Sequence, residues 1–136
     1  MTLLKEASVL QRFSDGEVII SEGITSNNAY LVLRGKVRVT KKLDRKTLVI
    51  STLKEGDIFG EMGLITKAVR SATVSAVGDV EVGFIDKEKF DELLDTLPSD
   101  VRVIIHALVN RLRSTSDMMI RIGSELENTR KQIQSM

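Results

Sequence analysis

The segment from Phe59 to Thr73, FGEMGLITKAVRSAT, gathers residue types that together could hold a cyclic phosphate on a sugar. Gly60 and Glu61 stand where a short helical turn is expected to open. Arg70 and Ser71 close the loop that follows and lead into a strand. The first N–H groups of a helix lack intrahelical partners and suit an anion. An arginine adds a planar, permanently charged fork that matches phosphate oxygens. A carboxylate can accept the proton of a free sugar hydroxyl. Standing alone, Arg70 and Glu61 would read as an ion pair or as surface charges. Within one run that also holds Gly60 and Ser71, they read as complements for a single ligand.

Such residues need a rigid frame, and the sequence supplies one in short β-rich runs. Glu17–Ser21 is followed by the turn signal Glu22-Gly23, and Ala29–Leu33 by Arg34-Gly35. Lys36–Lys41 alternates Val37 and Val39 with polar neighbours, as a half-exposed strand should. Lys46–Leu53 comes after a charged turn at Asp44-Arg45, and Gly56-Asp57 marks another turn. Ser71–Ala76 and Val80–Ile85 complete the set. Many short strands at close spacing predict a β-sandwich or barrel rather than a parallel α/β sheet. Residues 1–13 are expected to form a short helix or turn that packs Leu3, Leu4, Val9 and Leu10. After Asp86 the period becomes helical. Asp86 is a candidate N-cap, and Phe90, Leu93, Leu94 and Leu97 share one face. Pro98 should end that helix, with Ser99 or Asp100 capping the next.

The last helix carries a second pattern. Ile105, Leu108, Leu112, Thr115, Met119, Ile122, Leu126, Thr129, Ile133 and Met136 follow steps of three and four, a heptad seam interrupted only by two threonines. Glu125 falls at a g position and Arg130 at the following e, where they would meet across a parallel dimer. Gly123, costly inside a helix by about 1 kcal/mol relative to alanine, is expected to mark a bend or the start of fraying. The expected division is residues 1–98 as a β domain with flanking short helices and residues 99–136 as a coiled-coil dimerisation helix.

The run Phe59–Thr73 resembles the phosphate-binding cassette of the cyclic nucleotide-binding domains. The glycine-punctuated pattern GEVIISEG…AYLVLRGKVRV…LKEGDIFGE is similar to the N-terminal half of the same family. The resemblance implies an eight-stranded jelly roll followed by helices, an α+β chain that is mainly β. It implies that Gly60 lets backbone approach the ligand, Glu61 holds the ribose, Arg70 pairs with the phosphate and Ser71 adds a further contact. Phe59 and Met62 flank these in the same set. The segment RLRSTSD resembles the helix of the bacterial catabolite activators that carries a Thr-Ser pair reaching the base, one residue from each subunit. That implies base contacts from Thr115 and Ser116, and Ser51 and Leu53 are assigned to the base as well. Ser71 and the Thr115-Ser116 pair imply cyclic AMP ahead of cyclic GMP. One departure is Val69, where many members of the family have proline.

Composition narrows the function classes. The 136 residues include one His, no Cys and no Trp, and the formal net charge is +1. That length suits one domain with a modest core. The charge argues against nonspecific nucleic-acid binding as the main role. The lack of cysteine excludes disulfides, thiol sensing and cysteine-ligated clusters within this chain. His106 has no companion ligands and reads as structural or surface-exposed, so no metal or cofactor is expected. Met118 and Met119 read as seam and core filler. Lys41, Lys42, Arg45 and Lys46 read as a solvated hairpin tip. No apolar run is long enough to span a bilayer, and no signal peptide is visible, so the cytoplasm is the expected compartment.

The expected function is a homodimeric sensor of cyclic AMP that signals through its C-terminal helix. An enzyme is not expected, because no paired carboxylates or activated nucleophile can be argued. The alternative is the sensory piece of a catabolite-activator-type transcription regulator whose DNA-binding domain lies outside this chain. Neither DNA binding by the chain itself nor membrane association is expected. The downstream partner is open.

Overall fold

A computed structural model describes residues 8–135. Among them are six strands, one 3-10 turn and two α-helices. They are β1 (Val9–Phe13), β2 (Val18–Ile20), β3 (Ala29–Leu43), β4 (Lys46–Leu53), β5 (Ile58–Phe59), the 3-10 turn Glu61–Leu64, β6 (Thr73–Ile85), α1 (Lys87–Asp95) and α2 (Ser99–Gln134). All strand pairs are antiparallel.

The two longest strands each join runs that the sequence separates. The expected turn at Arg34-Gly35 is instead a bend inside β3, and the expected strands Ser71–Ala76 and Val80–Ile85 are one strand, β6, which begins at Thr73. Both bends have a backbone cause. Gly35 has φ 87° and Gly78 has φ 70°, left-handed values that glycine adopts at no steric cost. The β3–β6 register slips on either side of Arg34, between Val32 and Lys36. Gly35 also lies against β6 so closely that a Cβ there would sit 2.5 Å from the Asp79 carbonyl oxygen. The turn signal in the sequence is therefore real, but it bends a paired strand rather than reversing it.

The bends divide the strands into two groups of four segments. β1, the second half of β6, the first half of β3 and β5 pair in that order. β2, the first half of β6, the second half of β3 and β4 form the other group. These eight segments are the jelly roll that the family resemblance implies. Side chains between them form the core: Ile20, Tyr30, Val32, Val37, Phe59, Val74, Ala76, Val80 and Val82 are buried together, with Phe13, Ile19, Val39, Leu53 and Phe84 packed against them.

Other expectations resolve individually. β4 spans Lys46–Leu53 as read, and Asp44 makes the preceding turn with φ 57°. Gly56-Asp57 turns the chain, held by Gly56 N–H to the Val32 carbonyl and Val32 N–H to the Asp57 carbonyl. Residues 9–13 are not helical. They form β1, paired from Val9↔Phe84 to Phe13↔Val80, and Val9 and Leu10 are exposed rather than packed. The pairing of β1 satisfies backbone groups along the edge of β6, which a helix there would leave unpaired. Leu3 and Leu4 lie outside the described residues.

Asp86 caps α1 as expected, its Oδ1 accepting the Lys89 N–H at 2.9 Å. The cap of α2 is Pro98, with φ −53° and ψ 145° and no side-chain cap bond, so Ser99 and Asp100 lie inside the helix. Gly123 does not end α2, which continues to Gln134. The seam side chains Leu108, Leu112, Met119, Ile122, Leu126 and Ile133 are exposed, each at 49% or more. The chain forms two compact units, the first through Leu94 and the second from Asp95. Among the described residues no helix is long and apolar enough to cross a membrane.

Gly35→Ala tests the bend. A left-handed non-glycine residue costs roughly 1–2 kcal/mol, and the contact with the Asp79 carbonyl adds to it. Urea unfolding should report a loss of about 2 kcal/mol or more, and a loss well under about 1 kcal/mol would contradict the close approach.

Candidate functional site

The site is built where β5 gives way to the 3-10 turn. β5 pairs with the start of β3, Tyr30 opposite Phe59 and Leu31 opposite Ile58. The Tyr30 and Phe59 rings stack at 5.0 Å and 8°. Just beyond this pair, Gly60 turns the chain with φ 71° and opens the turn Glu61–Leu64. The positive φ favours glycine here, and a Cβ would also press on the tip of Ile20, 2.9 Å from its Cδ1.

Arg70 reaches this corner from the end of the loop. Its backbone is held on both sides by the turn after β2: Arg70 N–H donates to the Ile24 carbonyl at 2.9 Å, and Gly23 N–H donates to the Arg70 carbonyl at 2.8 Å. Its guanidinium lies between two backbone acceptors. Nη1 donates to the Gly60 carbonyl at 2.8 Å and Nη2 to the Asn28 carbonyl at 2.5 Å. Burial pushes the Arg70 pKa below its ordinary value, opposed by the electrostatics of Tyr30 and Glu61. Nε is buried and has no hydrogen-bond partner. A guanidinium has five N–H donors, so the two carbonyls leave capacity for an incoming acceptor. Leaving a buried donor unmet costs about 1–3 kcal/mol, which an anionic oxygen at Nε would recover.

Gly63 completes the cradle. A Cβ there would sit 2.5 Å from Arg70 Nη2 and 2.6 Å from the Ser26 carbonyl oxygen. Only a residue without a side chain lets the 3-10 turn lie against the guanidinium in this arrangement. Gly63 is absent from the site set read from the sequence, although a glycine inside a short helical turn, where propensity disfavours it, is a usable signal. Asn28 is also absent from that set. It acts through its carbonyl, which any residue carries, so the sequence holds no signal for it.

The expected site residues fall in three places. Phe59, Gly60, Glu61, Met62 and Arg70 converge at the corner. Phe59 is buried beneath it, Met62 and Arg70 are half-buried, and Glu61 is exposed. Ser71 follows Arg70 on the exposed surface, its carbonyl accepting a 2.6 Å hydrogen bond from Lys41 Nζ. Ser51 and Leu53 lie on β4, opposite Val39 and Val37 of β3, and both are half-buried. Thr115 and Ser116 lie on α2 in the second unit, Thr115 exposed and Ser116 half-buried. An apolar cavity of about 200 Å³ is lined by Ala29, Leu31, Ile58, Leu64, Ile85 and Phe90, and by Glu61 of the corner. Neither Arg70 nor Ser71 lines it. Among the described residues no cluster of His, Cys, Asp and Glu could hold a metal ion.

A sequence model of the cyclic nucleotide-binding domain matches residues 10–97, which include every strand but the first residue of β1. The chain belongs to the cyclic nucleotide-binding domain family. Within the family it is 35% identical over 94 residues to a cAMP-dependent protein kinase regulatory subunit of Dictyostelium discoideum, a match covering 66% of this chain and 29% of the relative. It is 28% identical over 138 residues to the cAMP-activated global transcriptional regulator CRP of Pasteurella multocida, covering 93% of this chain and 66% of that protein. Among solved structures it is similar to the cAMP-bound form of the EAL enzyme Bd1971, with a TM-score of 0.62 and 32% identity over 91% of this chain and 32% of the other. The chain thus spans under a third of the length of the kinase regulatory subunit and of the EAL enzyme it matches.

Arg70→Ala should destabilise the ligand-free protein, since the Gly60 and Asn28 carbonyls lose a charged donor. The expected loss is about 1–3 kcal/mol by urea unfolding. An unchanged midpoint would mean that the guanidinium does not hold the corner together.

Proposed function

We propose that this cyclic nucleotide-binding domain is a sensor of cyclic AMP, that the ligand's phosphate is held at Arg70, and that the chain acts as a regulatory homodimer rather than as an enzyme. The observation that carries the reading is the Arg70 guanidinium, fixed by two carbonyls and left with a buried, unpartnered Nε. That arrangement suits an anion with several oxygens better than a neutral ligand. The phosphate also meets the open end of the turn Glu61–Leu64, and Glu61 stands beside it to accept the ribose hydroxyl. Ser71, next to Arg70, adds a hydroxyl. The preference for cyclic AMP is supported by the family members that the chain resembles, named as cAMP-dependent, cAMP-activated and cAMP-bound.

The base reading assigns Thr115 and Ser116 of α2, with Ser51 and Leu53 of β4, to the part of the ligand that distinguishes one nucleotide from another. The dimer reading rests on the exposed seam of α2. A long helix with apolar residues at heptad spacing gains by burying them against another helix, and each fully buried large side chain contributes roughly 1.5–3 kcal/mol. Thr115 lies on that seam. Ligand binding would then favour one arrangement of the helix pair through differential affinity for two states. The proposed domains are residues 1–98 for the ligand and 99–136 for the dimer, and the proposed compartment is the cytoplasm. A second reading is that this is the sensory part of a transcription regulator, favoured by the 93% of the chain that aligns with the CRP of Pasteurella multocida.

Titration calorimetry with cyclic AMP, cyclic GMP and AMP tests the ligand. Cyclic AMP should bind best, and Arg70→Leu should weaken it at least a hundredfold, a loss of about 2.7 kcal/mol or more. Binding of none of the three would overturn the reading. Thr115→Ala should weaken cyclic AMP more than it weakens the dimer, and unchanged affinity would remove the base assignment. Sedimentation equilibrium should find a dimer that Leu112→Asp converts to monomer. A monomeric wild type at micromolar concentration would contradict the seam.

A further inference from the structure

Lys41 belongs by sequence to a basic hairpin tip, yet the structure turns its ammonium onto the phosphate-binding loop. Lys41 Nζ donates a 2.6 Å hydrogen bond to the carbonyl of Ser71, which lies thirty positions further along the chain. On either side of it the loop is tied at Arg70 and at Thr73. The Arg70 backbone pairs on both sides with Gly23 and Ile24. Thr73 Oγ1 accepts the Glu22 N–H at 3.0 Å, and Glu22 Oε1 accepts the Lys42 N–H at 3.1 Å. From Thr73 onward the chain is in β6, opposite Thr40 of β3. Ser71 lies between these two anchored stretches, outside β6 and exposed. The group that holds its carbonyl is a side chain from the neighbouring strand.

Ser71 adjoins Arg70, so the orientation of its peptide group sets where the loop's last polar atoms stand relative to the guanidinium. The residue before Arg70 is Val69, which leaves the backbone angle free, where a proline would fix it at that point. Lys41 restrains the other side of Arg70 from outside the loop. It also places a second positive charge on the residue next to Arg70, favourable to the singly charged phosphodiester of a cyclic nucleotide.

We propose that Lys41 is a positioning residue of the phosphate site, holding the Ser71 peptide so that Ser71 and the Arg70 fork face the same phosphate oxygens. The proposal rests on the reading of this loop as the phosphate site of a cyclic nucleotide. Lys41 acts through Ser71 and need not touch the ligand. Glu22 works with it, because its carboxylate ties the next residue of β3 to the turn that anchors the Arg70 backbone. The arrangement predicts a directional effect: loss of the tether should blur which phosphate oxygen is recognised, beyond lowering affinity.

The test compares Lys41→Met with Lys41→Arg, which keeps a charged donor, and with Lys42→Met, which removes the neighbouring charge without removing the tether. Each protein is titrated with cyclic AMP and with the two phosphorothioate diastereomers of cyclic AMP, which differ in the oxygen replaced by sulfur. Lys41→Met should weaken cyclic AMP by about tenfold and reduce the affinity ratio of the two diastereomers, while Lys41→Arg retains both and Lys42→Met changes neither by more than about twofold. Amide exchange of the ligand-free protein should be faster at Ala72 in Lys41→Met alone. If the wild type binds cyclic AMP while Lys41→Met keeps its affinity and diastereomer ratio, the positioning role is overturned and the site reading stands. A wild type that binds no cyclic nucleotide overturns the site reading itself, and the positioning role with it.

Discussion

The Arg70 guanidinium, clamped between the carbonyls of Asn28 and Gly60, is the interaction on which the rest of this domain's organisation turns. Those two acceptors come from segments far apart in sequence, one just before β3 and the other just after β5. They are held at the right separation by the strand pair between them, in which Tyr30 faces Phe59 and the rings stack. The buried core therefore does more than stabilise the fold. It sets the span across which one arginine is held. Gly63 keeps that span clear, since a Cβ there would meet the Ser26 carbonyl and the guanidinium itself.

A charge held this way carries an electrostatic cost that favours a response to ligand. Burial disfavours the charged guanidinium, Tyr30 and Glu61 offset part of that effect, and Nε remains unpaired. In such surroundings the field of an added anion is less screened than at an exposed arginine, which is why the phosphate is proposed to lie here. The backbone bonds to Gly23 and Ile24 prevent the loop from relaxing away to relieve the cost. The proposed phosphate site and the order of the loop thus depend on the same few bonds.

How much of this the sequence displays depends on whether a group acts through its side chain or its backbone. Arg70, Glu61 and Gly60 are singled out by type and spacing, and the structure brings them to one corner; the same run carries the family resemblance. β4 and the Asp86 cap are legible for the same reason: an alternating run after a turn, and a capping residue before a helical period. Asn28 is not legible, because its contribution is a carbonyl. The partnership of Lys41 with Ser71 is not legible either, because nothing local reports that β3 bends at Gly35 and carries Lys41 back to the loop. Gly35 reads as a turn because glycine signals a positive φ without saying whether the chain reverses or bends within a ladder. Residues 9–13 were open to a helical reading because their partner is β6, about seventy positions away. Long-range pairing overrides local preference at that edge.

The account is tested most directly at Arg70 Nε, the buried donor without a partner. Its N–H resonance can be followed in a ¹⁵N-labelled sample during titration with cyclic AMP, with adenosine as the ligand lacking a phosphate. The account predicts that cyclic AMP shifts the Nε–H signal strongly downfield and slows its exchange with water, and that adenosine does neither. A Nε–H signal that stays in place while cyclic AMP saturates the protein would contradict the claim that this arginine receives the phosphate.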